Sequence, residues 1–375
     1  MPPDRATPQR LVFHTASLAG GGAERVFVLM ANALAGRGHD VSYLTWNGQG
    51  PNAGLLSPQV KLIDLAMPLR GEGFGKLASL HGLWRSARLL ARLKPDALYS
   101  APEFANLVMA MALLLSGSKA KFLPSFHAAG SLPSETIGAR VAVLLSRIVV
   151  RRASKAIAVS QGVGGDLVAR GFPPEKVVVI NNPLPPRISA PVETYDWQAA
   201  LASMGDGPVI ATAGRLVAVK DHSTLLKAFA LVRAQRPARL VIFGEGPLDA
   251  ALRAEADALG IGHQVLLPGY VTNPAACYAA ADLFVLSSRS EGFGNVLIEA
   301  MEAGVPVVST DAPHGPREIL ADGQYGMLVP VGDAVALADA MAKSLDHPID
   351  RDRLIARAAD FAVATIADRY EQVLR

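Results

Sequence analysis

The chain has 375 residues, 50% of them apolar and 18% charged, and its 36 Lys+Arg against 33 Asp+Glu leave a formal net charge of +3. Disorder is excluded for most of such a chain, and 34 Gly with 26 Pro are too few for a low-complexity or collagen-like sequence. The near-neutral total hides a split: positions 1–190 carry 21 basic and 10 acidic residues, net +11, and the remainder 15 and 23, net −8. That division suggests two domains with different partners, the basic one facing a membrane surface or another anionic target.

Short apolar runs alternate with helix-period segments throughout, the pattern of parallel sheets covered by helices. The first half has predicted strands at Leu11–Thr15, Val41–Thr45, Val60–Ile63, Ala97–Ser100, Lys121–Phe126, Ala156–Val159 and Val177–Ile180. Helices are predicted among them over Ala23–Ala35, Lys76–Leu93, Ala105–Leu115 and Ile137–Arg152. The second half has predicted strands at Val209–Ala213, Leu240–Phe243, Gln264–Leu267, Leu283–Leu286, Val305–Val308 and Met327–Val329, again with helices between. Asn182–Pro191 cannot continue a strand or helix and is the predicted linker. The expected fold class is therefore α/β: two Rossmann-like, doubly wound parallel-sheet domains facing a central cleft, residues 1–184 and 185–358.

The N-terminus lacks the charge order and cleavage site of a signal peptide, and the longest apolar stretch, Phe104–Leu115, is shorter than the about 18 to 20 residues that span a bilayer. A cytoplasmic, non-spanning protein is expected. The lone Cys277 excludes an internal disulfide, and its small apolar neighbours make it a buried structural thiol.

Three loops carry the chemistry. The first strand runs into Ser17-Leu-Ala-Gly-Gly-Gly-Ala-Glu-Arg25, where Gly21 and Gly22 let the backbone approach a ligand and a helix start favours an anion. A tight structural turn is the alternative. Arg25 stands where a dinucleotide fingerprint has its last glycine, leaving Asp40 as the one nicotinamide-like hint. In the second half, Arg215 and Lys220 follow a strand end, a forked and a flexible cation suited to a diphosphate, with surface solvation as the alternative. In Ser287–Met301, the backbone of Phe293, Gly294, Asn295 and Val296 offers phosphate donors at a helix start. Glu299, one turn in, is placed to accept vicinal ribose hydroxyls, and Glu291 to reach a sugar hydroxyl. Spacing alone leaves a solvated glutamate pair as the alternative.

Gly20-Gly-Gly-Ala-Glu24, Arg37-Gly-His-Asp-Val41, Gly214-Arg-Leu216 with Lys220, Phe243-Gly-Glu-Gly-Pro247, the Glu-x7-Glu segment Glu291–Glu299 and Ala303-Gly-Val-Pro-Val-Val308 occur in that order over nearly the whole chain. Together they resemble the retaining nucleotide-sugar glycosyltransferases of family four, bacterial group 1 enzymes with two Rossmann-like domains in the GT-B arrangement. The resemblance implies that Arg215 and Lys220 hold the donor diphosphate, Glu299 the ribose and Glu291 the transferred sugar. It further implies that Gly21 and Gly22 close over the phosphates, that Val271 beside Tyr270 borders the nucleobase, and that His127 contacts the donor sugar near its reacting face. The other seven histidines are read as core or surface residues. A tail helix over about 359–375 is expected to return to the first domain.

The family retains anomeric configuration, by front-face attack in which a leaving-group oxygen takes the acceptor's proton, so no protein nucleophile is expected. Fixed cations and helix amides stabilise the charge growing on the diphosphate. No cofactor and no metal are expected: the only Asp-x-Asp, Asp350-Arg-Asp352, is read as a helix start or surface feature.

Two basic amphipathic segments stand out in the first half. On Lys76–Leu93, Arg85, Arg88 and Arg92 share one stripe and Leu80, Leu83, Trp84 and Ala87 another. On Ile137–Arg152, Ile137, Val141, Leu144, Leu145 and Ile148 face inward beside Arg140, Arg147 and Arg151. A cation near an anionic leaflet is worth about 1 kcal/mol, so peripheral contact with the cytoplasmic face of the inner membrane is expected, against an ordinary soluble helix. The segment Ser309–Ile319 looks like a bacterial subgroup that extends sugars on polyprenyl diphosphate. The expected reaction is transfer from a UDP-hexose or UDP-N-acetylhexosamine to a lipid-linked saccharide or polysaccharide. The alternatives are a GDP-mannose-dependent mannosyltransferase of the same fold and a UDP-N-acetylglucosamine 2-epimerase-like enzyme. A nicotinamide oxidoreductase and a catalytically idle binding protein fit less well, and no recognition motif accompanies the basic charge, which excludes nucleic acid.

Overall fold

The computed structural model describes residues 7–19, 21–68, 75–127, 146–185, 195–271 and 273–375. Two compact units divide the chain, Met1–Pro183 with Val363–Arg375, and Leu184–Ala362.

In the first unit seven parallel strands lie in the order β3-β2-β1-β4-β5-β6-β7: β1 Arg10–Ser17, β2 Asp40–Asn47, β3 Lys61–Asp64, β4 Ala97–Ser100, β5 Lys121–Phe126, β6 Ala156–Ala158 and β7 Val177–Val179. The central strands are buried on both faces, as their continuous apolar runs require. Helix α1 (Gly22–Gly36) buries Val26, Phe27, Met30, Ala31 and Leu34 on one side, the spacing of a core-facing stripe. Phe13 stacks on Tyr99 at 4.7 Å and takes Phe27 edge-on at 5.5 Å.

Helix α2 (Lys76–Leu93) departs from the expected arrangement. Its inward face is Gly82, Ser86, Ala87 and Leu90, whereas Leu80 and Trp84 point to solvent. The reason is close approach: the Trp46 indole N–H donates to Ser86 Oγ at 3.0 Å, and a Cβ on Gly82 would lie 2.7 Å from that ring. Small residues, not the largest apolar ones, therefore set the contact face. Helix α3 (Glu103–Ser116) packs beside α2. The basic stripe expected on Ile137–Arg152 falls mostly outside the described residues, Arg140 included. Residues 146–152 are helical (α4), with Arg147 and Arg151 exposed. Helix α5 (Gln161–Ala169) then packs against β6 and β7.

The second unit holds six parallel strands in the order β10-β9-β8-β11-β12-β13: β8 Val209–Ala213, β9 Arg239–Phe243, β10 Val265–Gly269, β11 Leu283–Leu286, β12 Val307–Thr310 and β13 Met327–Val329. Counted from its own first strand this is the doubly wound order 3-2-1-4-5-6 of dinucleotide-binding folds. Helices α6 (Asp196–Ser203), α7 (His222–Arg233), α8 (Asp249–Ala258), α9 (Pro274–Ala279), α10 (Asn295–Glu302), α11 (Pro316–Ile319), α12 (Ala334–Asp346) and α13 (Arg351–Ala359) alternate with or follow these strands. The Asp350 carboxylate accepts from the Arg353 amide at 3.0 Å, which places the lone Asp-x-Asp at the start of α13.

The tail helix expected over about 359–375 is α14 (Val363–Gln372). Between α13 and α14 the Phe361 carbonyl accepts from the Leu184 amide at 2.7 Å, part of a bridge between Leu184 and Ala362. Helix α14 packs on α1 in the first unit, where the Tyr99 hydroxyl donates to the Tyr370 carbonyl at 2.8 Å and Arg37 and His39 both meet Glu371.

Candidate functional site

In the second sheet β8 and β11 are neighbours whose onward connections run to opposite edges, the switch point at which a doubly wound sheet opens a crevice beyond its carboxyl ends. The loops leaving these strands, residues 214–221 and 287–294, are clasped together. The Arg289 amide donates to the Val219 carbonyl at 2.8 Å and Ser287 Oγ to the Lys220 carbonyl at 2.9 Å. Arg289 Nε donates to Asp221 Oδ2 at 3.0 Å, and Thr224 Oγ1 donates to the same oxygen at 2.9 Å. Asp221 is buried and left-handed, φ +48°, so the backbone turns sharply just after Lys220.

With its backbone held on both sides, Lys220 extends Nζ to Glu291 Oε1 at 2.6 Å. Ser288 Oγ donates to the same oxygen at 2.6 Å, and its own carbonyl accepts from Thr310 Oγ1 at 2.6 Å. Two residues separated by 71 positions and assigned to different parts of a ligand are thus in direct contact. Arg215, in the same loop as Lys220, is exposed, and no ion pair of it is found among the described residues.

The loop after Glu291 is anchored from below. Phe293 is buried edge-on against Phe361 at 5.6 Å, and the Glu291 amide donates to the Pro313 carbonyl at 3.2 Å. Gly315 has φ +107°, and a Cβ there would fall 1.9 Å from the Phe293 carbonyl oxygen, so the loops after β11 and β12 touch backbone to backbone. Gly294, at φ +102°, precedes Asn295 and Val296 in the first turn of α10, whose N–H groups and dipole favour an anion. Glu299 accepts from the Tyr278 hydroxyl at 2.7 Å, which fixes the carboxylate expected to meet a ribose. Cys277, next to Tyr278, is buried as expected, and desolvation pushes its thiol up to about 12.

Val271 and Tyr270 follow β10 and line a cavity of about 430 Å³ with Tyr195, Trp197, Leu266 and Pro268. Tyr195 stacks on Trp197 at 6.0 Å, and Trp197 stands edge-on to Phe243 at 5.0 Å. The position expected to border a nucleobase therefore lies on an aromatic-walled hollow.

The first unit carries the other candidates. Gly21 caps α1, and its missing Cβ leaves room for the Glu24 carboxylate, 2.0 Å from where that atom would be. Partial burial raises the Glu24 pKa. A Cβ on Gly22 would meet nothing within 4 Å. His127, at the end of β5, pairs Nε2 with Ser125 Oγ at 3.0 Å and packs edge-on to Phe27 at 5.9 Å. Desolvation, offset in part by the nearby Asn182 side chain, brings its pKa down to about 4, so the ring is neutral at pH 7. Asp40 is exposed and bound to Lys61 at 2.8 Å, not held over a nucleotide crevice.

Sequence reasoning missed Ser288, Asp221, Arg289, Tyr278 and Trp197. Asp221 and Ser288 sit beside named motif residues, but Arg289 and Thr310, which also bond them, come from other parts of the chain. Tyr278 is 21 residues from Glu299 and gave no signal in the sequence.

Residues 20–187 match the model of Glycosyltransferase Family 4, and residues 194–361 that of Glycosyl transferases group 1. The chain is 28% identical over 366 residues to the lipopolysaccharide core biosynthesis glycosyltransferase LpsE of Rhizobium meliloti, covering 94% of this chain and 96% of that protein. Over 145 residues, 39% of this chain and 38% of the relative, it is 37% identical to an N-acetylgalactosaminyltransferase of Campylobacter jejuni named for a diphospho-undecaprenol acceptor. Among solved structures, Anabaena HepE in complex with UDP and glucose shares the fold, with a TM-score of 0.77 over 98% of this chain and 99% of that one at 20% identity.

Proposed function

We propose that this chain, which belongs to the group 1 glycosyltransferases and has a Family 4 first half, transfers a hexose or N-acetylhexosamine from a UDP-sugar to a lipid-linked saccharide or polysaccharide in cell-envelope glycan synthesis. The observation that carries the reading is the Lys220–Ser288–Glu291 cluster at the crevice of the second sheet, with Arg215 exposed in the same loop as Lys220. It joins a cation for the diphosphate to a carboxylate for the sugar. The named roles of LpsE and the Campylobacter enzyme, and the UDP in HepE, support the acceptor and donor classes.

In this reading Arg215, Lys220 and the first turn of α10 hold the diphosphate, Glu299 the ribose and Glu291 a sugar hydroxyl. Val271 and the aromatic hollow take the base. As the bond from the anomeric carbon to the diphosphate breaks, negative charge grows where these cations and amides already stand. The acceptor hydroxyl attacks from the same face and its proton passes to the departing diphosphate oxygen, so configuration is retained. Neutral His127 hydrogen-bonds the donor sugar without adding charge. Arg215 and Lys220 take the place that a metal ion occupies in other phosphate chemistry. The reaction runs at the cytoplasmic face of a membrane with an anionic surface.

Incubating the protein with a panel of sugar nucleotides and a membrane extract tests the whole. Acceptor-dependent release of UDP that survives EDTA, with a product of retained configuration, is expected. Thermal shifts with GDP-mannose but not with UDP-sugars would make it a mannosyltransferase, and consumption of UDP-N-acetylglucosamine without acceptor an epimerase.

A further inference from the structure

The outward face of α2 is apolar where an isolated helix of a soluble protein would be polar. Leu77 is 84% exposed, Leu80 64% and Trp84 53%, and their three- and four-residue spacing puts them on one stripe. Phe104 of α3, also exposed, stands edge-on to Trp46 at 5.8 Å, the same ring that Gly82 of α2 packs against, and so extends this apolar surface.

Toward its C-terminal end the stripe becomes cationic. The Arg88 guanidinium lies over the Trp84 ring at 4.6 Å, and Arg92 follows one turn later, both exposed. A cavity of about 290 Å³ opens between Leu65, Trp84, Arg85, Arg88, Leu89 and Arg92. Arg85 is its inner wall, half-buried with Nη1 donating to the Leu65 carbonyl at 2.7 Å. The 18 residues of the helix include no Asp or Glu, and the half of the chain that contains it carries a net +11. A helix combining large exposed apolar side chains with an all-basic polar flank is complementary to the boundary of an anionic bilayer, not to water or to a neutral surface.

We propose that the Leu77–Arg92 face of α2 is a membrane-docking surface for an anionic phospholipid leaflet. Leu77, Leu80 and Trp84 enter the boundary between headgroups and acyl chains, while Arg88 and Arg92 pair with lipid phosphates. This extends the reading of a membrane-borne acceptor and rests on it for its purpose. Vesicle binding without nucleotide or acceptor tests the surface whether or not that reading holds.

The full chain is mixed with phosphatidylcholine vesicles with and without phosphatidylglycerol, and binding is read by co-sedimentation and tryptophan emission. Trp46 and Trp197 are 0% and 7% exposed, so the third tryptophan, Trp84, dominates any blue shift on insertion. Expected are binding and a blue shift only with phosphatidylglycerol, both weakened by salt. Replacing Arg88 and Arg92 by Gln should lower affinity about fivefold for each arginine, and Leu77→Ser with Leu80→Ser should abolish the blue shift. The thermal shift given by UDP should stay unchanged in all variants, since Leu77, Leu80, Arg88 and Arg92 are not among the residues read as holding the nucleotide. Equal binding to neutral vesicles, wild-type binding by these variants, or a lipid-independent dimer that shields Trp84 would each overturn the proposal.

Discussion

Lys220 Nζ donates to Glu291 Oε1 at 2.6 Å, so the group read as the diphosphate cation and the group read as the sugar carboxylate hold one another. If a diphosphate takes Lys220, it competes with Glu291 for the ammonium. Glu291→Gln removes the competitor, and free UDP should then bind more tightly by about 1 kcal/mol, roughly fivefold. Turnover of the UDP-sugar should fall. Lys220→Ala should weaken both ligands. Calorimetry showing unchanged or weaker UDP binding to Glu291→Gln would mean that the pair does not oppose the ligand.

Tyr278→Phe leaves the shape of its pocket and removes the hydroxyl that donates to the Glu299 carboxylate. The lost hydrogen bond is worth about 1 kcal/mol, and it should appear as a raised KM for the nucleotide sugar with kcat nearly constant. A fall in kcat at constant KM would remove Glu299 from ribose binding.

The glycines separate structural from ligand demands. Gly22→Ala meets no atom within 4 Å and sits in the first turn of α1, so melting temperature should hold or rise. If the loop closes over phosphates, KM should rise nonetheless, and wild-type kinetics would make the loop a turn only. Gly315→Ala, in contrast, is strained at φ +107° and drives Cβ into the Phe293 carbonyl. It should lose roughly 2 kcal/mol or more of stability together with nucleotide binding. A variant with normal melting and UDP affinity would show that the two loops move independently.

Acid should destabilise both units. His14 and His222 are buried, and desolvation lowers each ring from 6.5 to about 4. Below pH 6.5 the unfolded chain takes up protons that the folded one refuses, so stability falls as pH drops from 6.5 to 4, by up to on the order of 3 kcal/mol per histidine. Urea midpoints at several pH values measure this. A midpoint flat across that window would show that these rings are solvated.

The periodicity of the chain was enough to specify its strands, because a parallel strand buried on both faces writes itself as a continuous apolar run, as in Leu283–Leu286 and Val307–Val308. Glycine loops and the Glu-x7-Glu spacing were equally local, and so Arg215, Lys220, Glu291 and Glu299 could be named from motifs. What local pattern could not decide was which side chains meet. On α2 the sequence puts Leu80, Leu83, Trp84 and Ala87 on one stripe without saying which side faces the core, and Gly82 and Ser86 face inward because Trp46, on β2, packs closely against them. The Lys220–Glu291 pair and the Tyr278–Glu299 bond join residues 71 and 21 positions apart. Sequence by itself determined the alternating architecture and the residue types at the strand ends. Only the tertiary structure decided their partners and the exposed face of α2, since contact depends on distance across the sheet and periodicity reports only distance along the chain.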